Sequence, residues 1–101
     1  MITHAKGRRE SALESWCVKW ARARGVVVAK LTECAGIPDR VFFVPGGRPL
    51  IVEFKAVGLK PEELQSWYLR MLFNNCYIAV HIDSKEAFMK LMNRYSVGEG
   101  T

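Results

Sequence analysis

The strongest constraint on the fold is the order of three segments in the second half of the chain. Residues 50–55 and 77–82 are short apolar runs rich in β-branched side chains, which is typical of strands. Between them, Pro61 is followed by two glutamates and an apolar stripe at helical spacing, which predicts a helix over residues 61–75. A strand, a crossover helix and a second strand pack as a parallel, right-handed unit. Any fold for this chain must contain that unit.

The rest of the chain adds two helices and two strands. Apolar stripes predict helices over residues 8–24 and 84–95, the second capped by Ser84, and β-branched runs predict strands over residues 26–31 and 40–44. Strands joined by short loops are antiparallel, so the expected fold is α/β, with a mixed four-stranded sheet flanked by helices in the order αβββαβ(α). The helical residues expected to face inward are Leu13, Trp16, Cys17, Trp20, Ala21, Phe88, Leu91 and Met92. The crossover helix carries a further apolar stripe, which fits either core packing or a subunit interface and consists of Leu64, Trp67, Tyr68, Met71 and Leu72.

The size and charge of the chain limit its partners. Its 101 residues make one small domain, residues 1–101, in which residues 1–7 and 97–101 are expected to be flexible tails. A chain this short has a thin core, and a homodimer is a reasonable way to cover more of its apolar surface. Fifteen Lys and Arg residues against ten Asp and Glu residues give a net charge of +5, which permits an anionic partner such as nucleic acid but does not require one.

Several features indicate the compartment. No apolar run is long enough to cross a bilayer, and the N-terminal segment has no hydrophobic stretch typical of a secretory signal. The three cysteines, Cys17, Cys34 and Cys76, contain no Cys-x-x-Cys pair. We therefore expect three reduced and mostly buried thiols in a cytoplasmic protein.

Glu53 and Lys55 are charged residues in an otherwise apolar strand. They lie two residues apart and so share one face of a strand that the crossover makes central, where an unpaired charge is costly. Asp39 precedes the second strand. If the hairpin loop is residues 45–47, Asp39 lies opposite Glu53, and if it is residues 45–49, Asp39 lies opposite Lys55. A loop of even length would move Asp39 to the other face. We favour the three-residue loop, because a glycine, Gly47, stands at its left-handed position.

Two carboxylates and a lysine at one end of a sheet are suited to phosphodiester hydrolysis. Carboxylate oxygens bind Mg²⁺ or Mn²⁺, and a lysine can orient the attacking water or stabilise the developing negative charge. The alternative is an ordinary ion pair between Glu53 and Lys55 on an exposed strand face, with Asp39 merely starting a turn. Composition and spacing alone leave both interpretations open.

A resemblance to a nuclease family favours the first interpretation. Ile37-Pro38-Asp39 followed by Val52-Glu53-Phe54-Lys55 resembles the PD-(D/E)XK nuclease signature. Over about residues 8–82 the chain is similar to the VRR-NUC domain in the stand-alone form found in phages and bacteria. The matching residues are Glu10-Ser11-x-Leu13-Glu14, Gly25, Lys30, Gly36-Ile37-Pro38-Asp39-Arg40, Pro45-Gly46-Gly47-Arg48, Glu53-Phe54-Lys55 and Gln65.

The sequence departs from the family in two places. Family members usually have a glycine in the turn after the second helix, where this chain has Asn74-Asn75-Cys76. The Val-Arg-Arg string that gives the family its name belongs to its longer members and does not occur here. Neither departure touches the candidate metal ligands.

The resemblance implies a restriction-endonuclease-like core and a DNA endonuclease dependent on Mg²⁺ or Mn²⁺. Asp39 and Glu53 would be metal ligands and Lys55 the catalytic lysine. Glu10 matches the acidic residue of the first helix, which in such nucleases contributes to the metal site, and Gln65 matches a glutamine beside the active site. Without the resemblance, Gln65 would be interpreted as a surface residue. Glu14 competes with Glu10, but we interpret Glu14 as a solvated helix carboxylate.

The candidate nucleic-acid contacts are Lys30, Arg40, Arg8, Arg9 and Arg48. A phosphate contact and an ordinary exposed strand lysine are equally good interpretations of Lys30, and the other arginines also fit a solvated basic face. Arg40, which follows the motif aspartate, would contact the substrate or a neighbouring carboxylate.

Stand-alone relatives are associated with structure-selective cutting, including cutting of four-way junctions. The expected partners are therefore branched DNA and a second copy of the chain, with no membrane and no small-molecule cofactor, in the cytoplasm of a bacterium or of a phage-infected host. The alternatives are a Holliday-junction resolvase proper and a non-catalytic nucleic-acid-binding module of the same fold. A third is a structural protein whose charges merely pair.

Overall fold

Seven helices and strands make up the part of the chain that the structure, a computed structural model, describes: residues 7–95 and 97–98. The strands form one sheet in the order β1-β2-β3-β4, in which β1, β2 and β3 are antiparallel neighbours and β4 is parallel to β3. The predicted mixed four-stranded sheet and its order of elements are confirmed. The elements are α1 (Arg8–Arg22), β1 (Val27–Lys30), β2 (Arg40–Val44), β3 (Arg48–Phe54), α2 (Glu63–Asn74), β4 (Ile78–Ile82) and α3 (Lys85–Arg94).

The β2–β3 hairpin has the three-residue loop. Val44 pairs with Arg48, and the two glycines of the loop have φ angles of 91° and 74°, which glycine adopts without steric cost. The register runs to Arg40 opposite Val52, and one further step places Asp39 opposite Glu53. The first of the two odd-length alternatives is therefore correct.

The central strand β3 divides the sheet into two chemically different faces. Leu50, Val52 and Phe54 are fully buried in a core formed with α1 and α3. The alternate residues, including Glu53, point to the opposite face, where α2 lies. The charged site is thus on the α2 side of the sheet, separated from the main core by the strand itself.

Aromatic packing fills the core between the sheet and the two outer helices. Phe88 of α3 is fully buried, with its ring centroid 5.5 Å from that of Phe42, and Trp16 and Trp20 of α1 meet it edge-on. The inward stripes predicted for α1 and α3 are confirmed. Val97 is also buried in this core, so the prediction of a flexible tail is wrong at that residue; residues 1–6, 96 and 99–101 lie outside the described part.

Local hydrogen bonds set the ends of the helices. Ser84 caps α3 as predicted, since its Oγ accepts the N–H of Ala87 at 3.1 Å. The start of α2 differs from the prediction: its N-cap is Glu62, and Pro61 lies before the helix rather than in its first turn. The other ends fall within two residues of the predicted positions.

The helix α2 has no buried residue. Leu64, Trp67 and Met71 are each more than two-fifths exposed and Phe73 is 69% exposed. Of the two kinds of packing expected for this stripe, burial in the core of a single chain is therefore not the one observed for Leu64, Trp67 and Met71. None of the described helices, α2 included, is long and apolar enough to span a membrane.

The cysteines differ in burial. Cys17 is fully buried, whereas Cys34 and Cys76 are exposed, so the expectation of mostly buried thiols is wrong; all three are free. Burial raises the pKa of the Cys17 thiol to about 12, although the nearby charge of Lys85 acts in the opposite direction.

Candidate active site

Glu53 and Lys55 are buried together at the end of the central strand. Their exposed fractions are 2% and 8%, and Lys55 Nζ lies 3.8 Å from Glu53 Oε2. The alternative of an ion pair on an exposed strand face does not describe this arrangement. Burying opposite charges costs desolvation energy that an apolar pair would avoid, so their presence here suits a chemical role better than a structural one.

Asp39 joins the site through the backbone of β3. Its Oδ2 accepts the N–H of Phe54 at 2.8 Å, across the position where Asp39 faces Glu53. A carboxylate held by a backbone N–H has its orientation fixed before any ligand arrives. Asp39 and Glu53 therefore present two carboxylates on the same face of adjacent strands.

Gln65 of α2 connects the helix start to the carboxylate of Glu53. Its Nε2 donates to Glu53 Oε2 at 2.9 Å, and its Oε1 accepts the N–H of Glu62 at 2.8 Å. Because the backbone N–H can only donate, the amide oxygen must face Glu62 and the amide nitrogen must face Glu53. Among the residues that the resemblance supplied, Gln65 is the one that the residue pattern alone would have missed.

A second polar pair, Glu14 with Arg40, lies on the opposite face of the sheet. Glu14 of α1 is 8% exposed and its Oε2 accepts from Arg40 Nε at 2.6 Å, so the interpretation of Glu14 as a solvated carboxylate is wrong. Strand alternation explains the placement, since Asp39 and Arg40 are consecutive and must point to opposite faces. Arg40 thus contacts a neighbouring carboxylate, one of the two roles expected for it.

The structure places the other predicted residues on α1, β1 and β3. Glu10 is partly buried in the first turn of α1. Within residues 7–95 and 97–98, no three His, Cys, Asp or Glu side chains are grouped closely enough to hold a metal ion, so Glu10 does not complete a three-ligand set with Asp39 and Glu53. The exposed cations Arg8 and Arg9 begin α1.

Lys30 and Arg48 lie at different ends of the sheet. Lys30 is exposed and pairs in register with Arg40, at the end that carries the site. Arg48 begins β3, about 17 Å of strand away from Glu53. Its guanidinium carbon lies 5.8 Å from the centroid of the Tyr95 ring.

The donor set at Asp39 and Glu53 fits a hard divalent cation. Both side chains are carboxylates, whose oxygens suit Mg²⁺ or Mn²⁺, and one step beyond the β2–β3 register the two residues are opposite each other. Such ions keep several water molecules, so two carboxylates from the protein are sufficient ligands when a phosphate supplies the rest. The adjacent Lys55 would then face the anionic substrate.

Solved structures share this architecture. One described as "VRR_NUC domain" superimposes with a TM-score of 0.78 at 23% identity, over 90% of this chain and 99% of that one. A second, described as "VRR_NUC domain protein", gives a TM-score of 0.70 at 17% identity over 91% of each chain. This chain has the VRR_NUC fold. Neither the scan of family models nor the search of curated proteins gives a match.

Two features of this chain can be compared with the VRR_NUC fold, the order of its elements and the turn after α2. The predicted αβββαβα order and four-stranded sheet are those of the fold. In the turn after α2, where the chain has Asn74-Asn75-Cys76 and no glycine, Cys76 has a φ of 71°, the left-handed conformation that a glycine adopts freely. The turn therefore uses a conformation that favours glycine although none of its three residues is one.

Proposed function

We propose that this chain is a divalent-metal-dependent DNA endonuclease that hydrolyses phosphodiester bonds. The observation that carries the proposal is the buried pair of Glu53 and Lys55 with the partly buried Asp39 beside it, at the end of the central strands. The VRR_NUC fold of the similar structures supports it, because that description denotes a nuclease-type domain. A structural protein would gain more stability from apolar side chains at Glu53 and Lys55.

Asp39 and Glu53 would hold Mg²⁺ or Mn²⁺. When bound, the cation supplies polarisation of the phosphodiester and a more acidic water molecule. Gln65 fixes the carboxylate plane of Glu53, and the N–H of Phe54 fixes that of Asp39. The ammonium group of Lys55 donates hydrogen bonds to the attacking water or to a non-bridging phosphate oxygen, whose negative charge increases in the transition state. The proposed reaction is in-line attack by water.

The proposed substrate is DNA, bound through its phosphates at the end of the sheet that carries the site. The net charge of +5 favours a polyanion. Lys30 is exposed at the same end of the sheet, but its pairing with Arg40 places it on the opposite face from Asp39 and Glu53, so it would contact DNA that passes around this end. Arg8 and Arg9 add positive charge in the first turn of α1. Arg40 supports Glu14 instead, and Arg48 would contact only DNA that extends to the far end of the sheet.

We also propose that two copies associate through the apolar face of α2, formed by Leu64, Trp67 and Met71. These side chains recur at helical spacing and remain substantially exposed, which is unusual for a contiguous apolar surface on a small soluble monomer. A twofold axis is the commonest way for a second copy to cover such a face. Two active sites related by that axis would suit a branched substrate such as a four-way junction.

The experiment that tests the nuclease proposal compares cleavage of labelled four-way, flap and linear DNA in Mg²⁺, Mn²⁺ or a chelator. The variants are Asp39→Asn and Lys55→Ala, and the matched control is Lys90→Ala, which removes an exposed lysine from α3. Circular dichroism and thermal unfolding establish that each variant is folded.

We expect metal-dependent cleavage that the control retains and that Asp39→Asn and Lys55→Ala lose by a factor of at least about 100. DNA binding without cleavage in any metal would instead identify a non-catalytic binding module. Cleavage that persists at full rate in folded Lys55→Ala would contradict the proposed site.

A further inference from the structure

The segment between β1 and β2, residues 31–38, packs against α2 next to the site. We propose that Gly36 in this segment is a positioning residue: because it has no side chain, Leu64 can rest against the segment, and this sets α2 at the depth at which Gln65 reaches Glu53. This role concerns the same site as the proposed nuclease activity. Only the cleavage experiment described below depends on that activity.

With Leu64 in its observed rotamer, its contact with Gly36 leaves no room for a larger residue. A Cβ atom added at Gly36 would lie 2.5 Å from Leu64 Cγ and 2.7 Å from Leu64 Cδ2, both well below van der Waals contact. Gly36 also has a φ of +83°, which a side chain would strain. Restoring ordinary contact would require Leu64 to move by about 1 Å, unless its side chain rotates away from the segment.

A second contact ties the same segment to the next turn of α2. Cys34 Sγ and Tyr68 Oη are 3.1 Å apart, and this hydrogen bond is the main cause that raises the pKa of Tyr68. A hydrogen bond joins the two ends of the segment, because the N–H of Leu31 donates to the carbonyl of Asp39 at 2.9 Å. Two successive turns of α2 therefore rest on a segment that is fixed to the sheet.

The position of α2 depends strongly on such contacts, because the helix buries none of its own residues. Gln65 follows Leu64 directly, so a displacement of Leu64 is transmitted to Gln65 through the helix backbone. A hydrogen bond of 2.9 Å between Gln65 Nε2 and Glu53 Oε2 that lengthens by about 1 Å is lost. Glu53 would then lose the donor that fixes its carboxylate.

The test compares Gly36→Ala with Gly25→Ala. Gly25 has nearly the same backbone conformation, with a φ of +81°, but an added Cβ meets nothing within 4 Å there. The control therefore carries the same backbone strain without the steric clash. A third variant, Gly36→Ala with Leu64→Ala, removes the two closest atoms and leaves a contact of 3.2 Å to the Cβ of residue 64.

The primary readout is the side-chain amide signal of Gln65 in a ¹H–¹⁵N NMR spectrum, assigned by its disappearance in Gln65→Ala. We expect Gly36→Ala to move this signal to the position of a solvent-exposed glutamine, Gly25→Ala to leave it in place, and the double variant to restore it. This readout needs no DNA and no metal, so it tests the positioning role even if the chain proves not to be a nuclease.

The second readout is DNA cleavage. Misplacement by about 1 Å can reduce a rate by up to about 100-fold. We expect Gly36→Ala to lower the cleavage rate about as much as Gln65→Ala does, and to cause no further loss when the two changes are combined. Additive losses would mean that Gly36 acts by another route and would overturn the proposal, as would an unmoved Gln65 signal in Gly36→Ala.

A Gly36→Ala chain that does not fold is replaced by Leu64→Phe, which keeps the glycine and enlarges the other side of the contact. The same displacement of the Gln65 signal is then expected. An unmoved signal in folded Leu64→Phe would equally overturn the proposal.

Discussion

Asp39 Oδ2 accepts the backbone N–H of Phe54 at 2.8 Å, so one candidate metal ligand also joins the start of β2 to the end of β3. The same carboxylate therefore has a structural and a chemical role. The two roles use different properties of the side chain, the first its ability to accept a hydrogen bond and the second its negative charge. Substitutions can separate them.

Asp39→Asn keeps an oxygen that can accept the N–H of Phe54, whereas Asp39→Ala does not. We expect Asp39→Ala to lower the free energy of unfolding by about 1–3 kcal/mol and Asp39→Asn to lower it much less. Both should lose Mn²⁺ affinity, because neither carries the charge. Urea denaturation and Mn²⁺ titration by calorimetry measure the two effects, and equal destabilisation by the two variants would contradict the structural role.

Arg40 is expected to stabilise the fold rather than to bind DNA. Arg40→Met removes the guanidinium from the buried carboxylate of Glu14 and should lower the free energy of unfolding by roughly 1–3 kcal/mol. Adding Glu14→Gln should recover part of that loss, because the uncompensated charge is then gone. Lys30→Ala is the control, with the opposite expectation: weaker DNA binding at low salt and little change in unfolding.

Cys17 should be inert in the folded protein. Its pKa of about 12 leaves roughly 1,000-fold less thiolate at pH 8 than an ordinary cysteine has, and the residue is fully buried. A disulfide reagent should therefore label two thiols per native chain, Cys34 and Cys76, and the third only on unfolding. The thiolate fraction of Cys17 stays small even when the pH rises from 8 to 10. Equal labelling of all three in the native protein would argue against this burial.

Cys76→Gly should stabilise the protein. Cys76 occupies the left-handed position of a C-terminal cap on α2, where the N–H of Tyr77 donates to the carbonyl of Leu72 and the N–H of Cys76 donates to the carbonyl of Phe73. A glycine there removes about 1 kcal/mol of backbone strain, and the exposed thiol contributes little packing. Cys34→Gly, at an exposed position outside that conformation, is the comparison and should not stabilise. Thermal unfolding checks both.

The proposed dimer depends on the apolar face of α2. Met71→Glu and Trp67→Glu place a charge in that face and should convert a species of twice 11.5 kDa into one of 11.5 kDa in sedimentation equilibrium. Asn93→Glu adds the same charge at an exposed position of α3 and should leave the mass unchanged. A wild-type chain that is monomeric at high concentration would contradict the association.

Much of the site could be predicted because period-two alternation is a strict rule. Glu53 and Lys55 had to share a face, and the parity of the hairpin loop decided whether Asp39 joined them. The crossover helix then made β3 central and therefore buried. These conclusions needed only spacing, so the sequence was sufficient for them.

Other features depended on distances between segments far apart in the chain. The pairing of Glu14 with Arg40 required the depth at which α1 packs on the sheet, although strand alternation already indicated that Arg40 points away from Asp39. The contact of Gly36 with Leu64 has no periodic signal at all. The exposure of α2 could not be predicted from the sequence, because an apolar stripe has the same pattern whether it packs against the core or against another chain.

The absence of buried residues in α2 has a consequence for local stability. A helix with so little packing can unwind by itself while the sheet and the other helices stay folded, at a free energy well below that of global unfolding. In an isolated chain its amide protons should therefore exchange with solvent before those of β2 and β3. Each such opening withdraws Gln65 from Glu53, so the local melting of one helix sets how much of the time the site is complete.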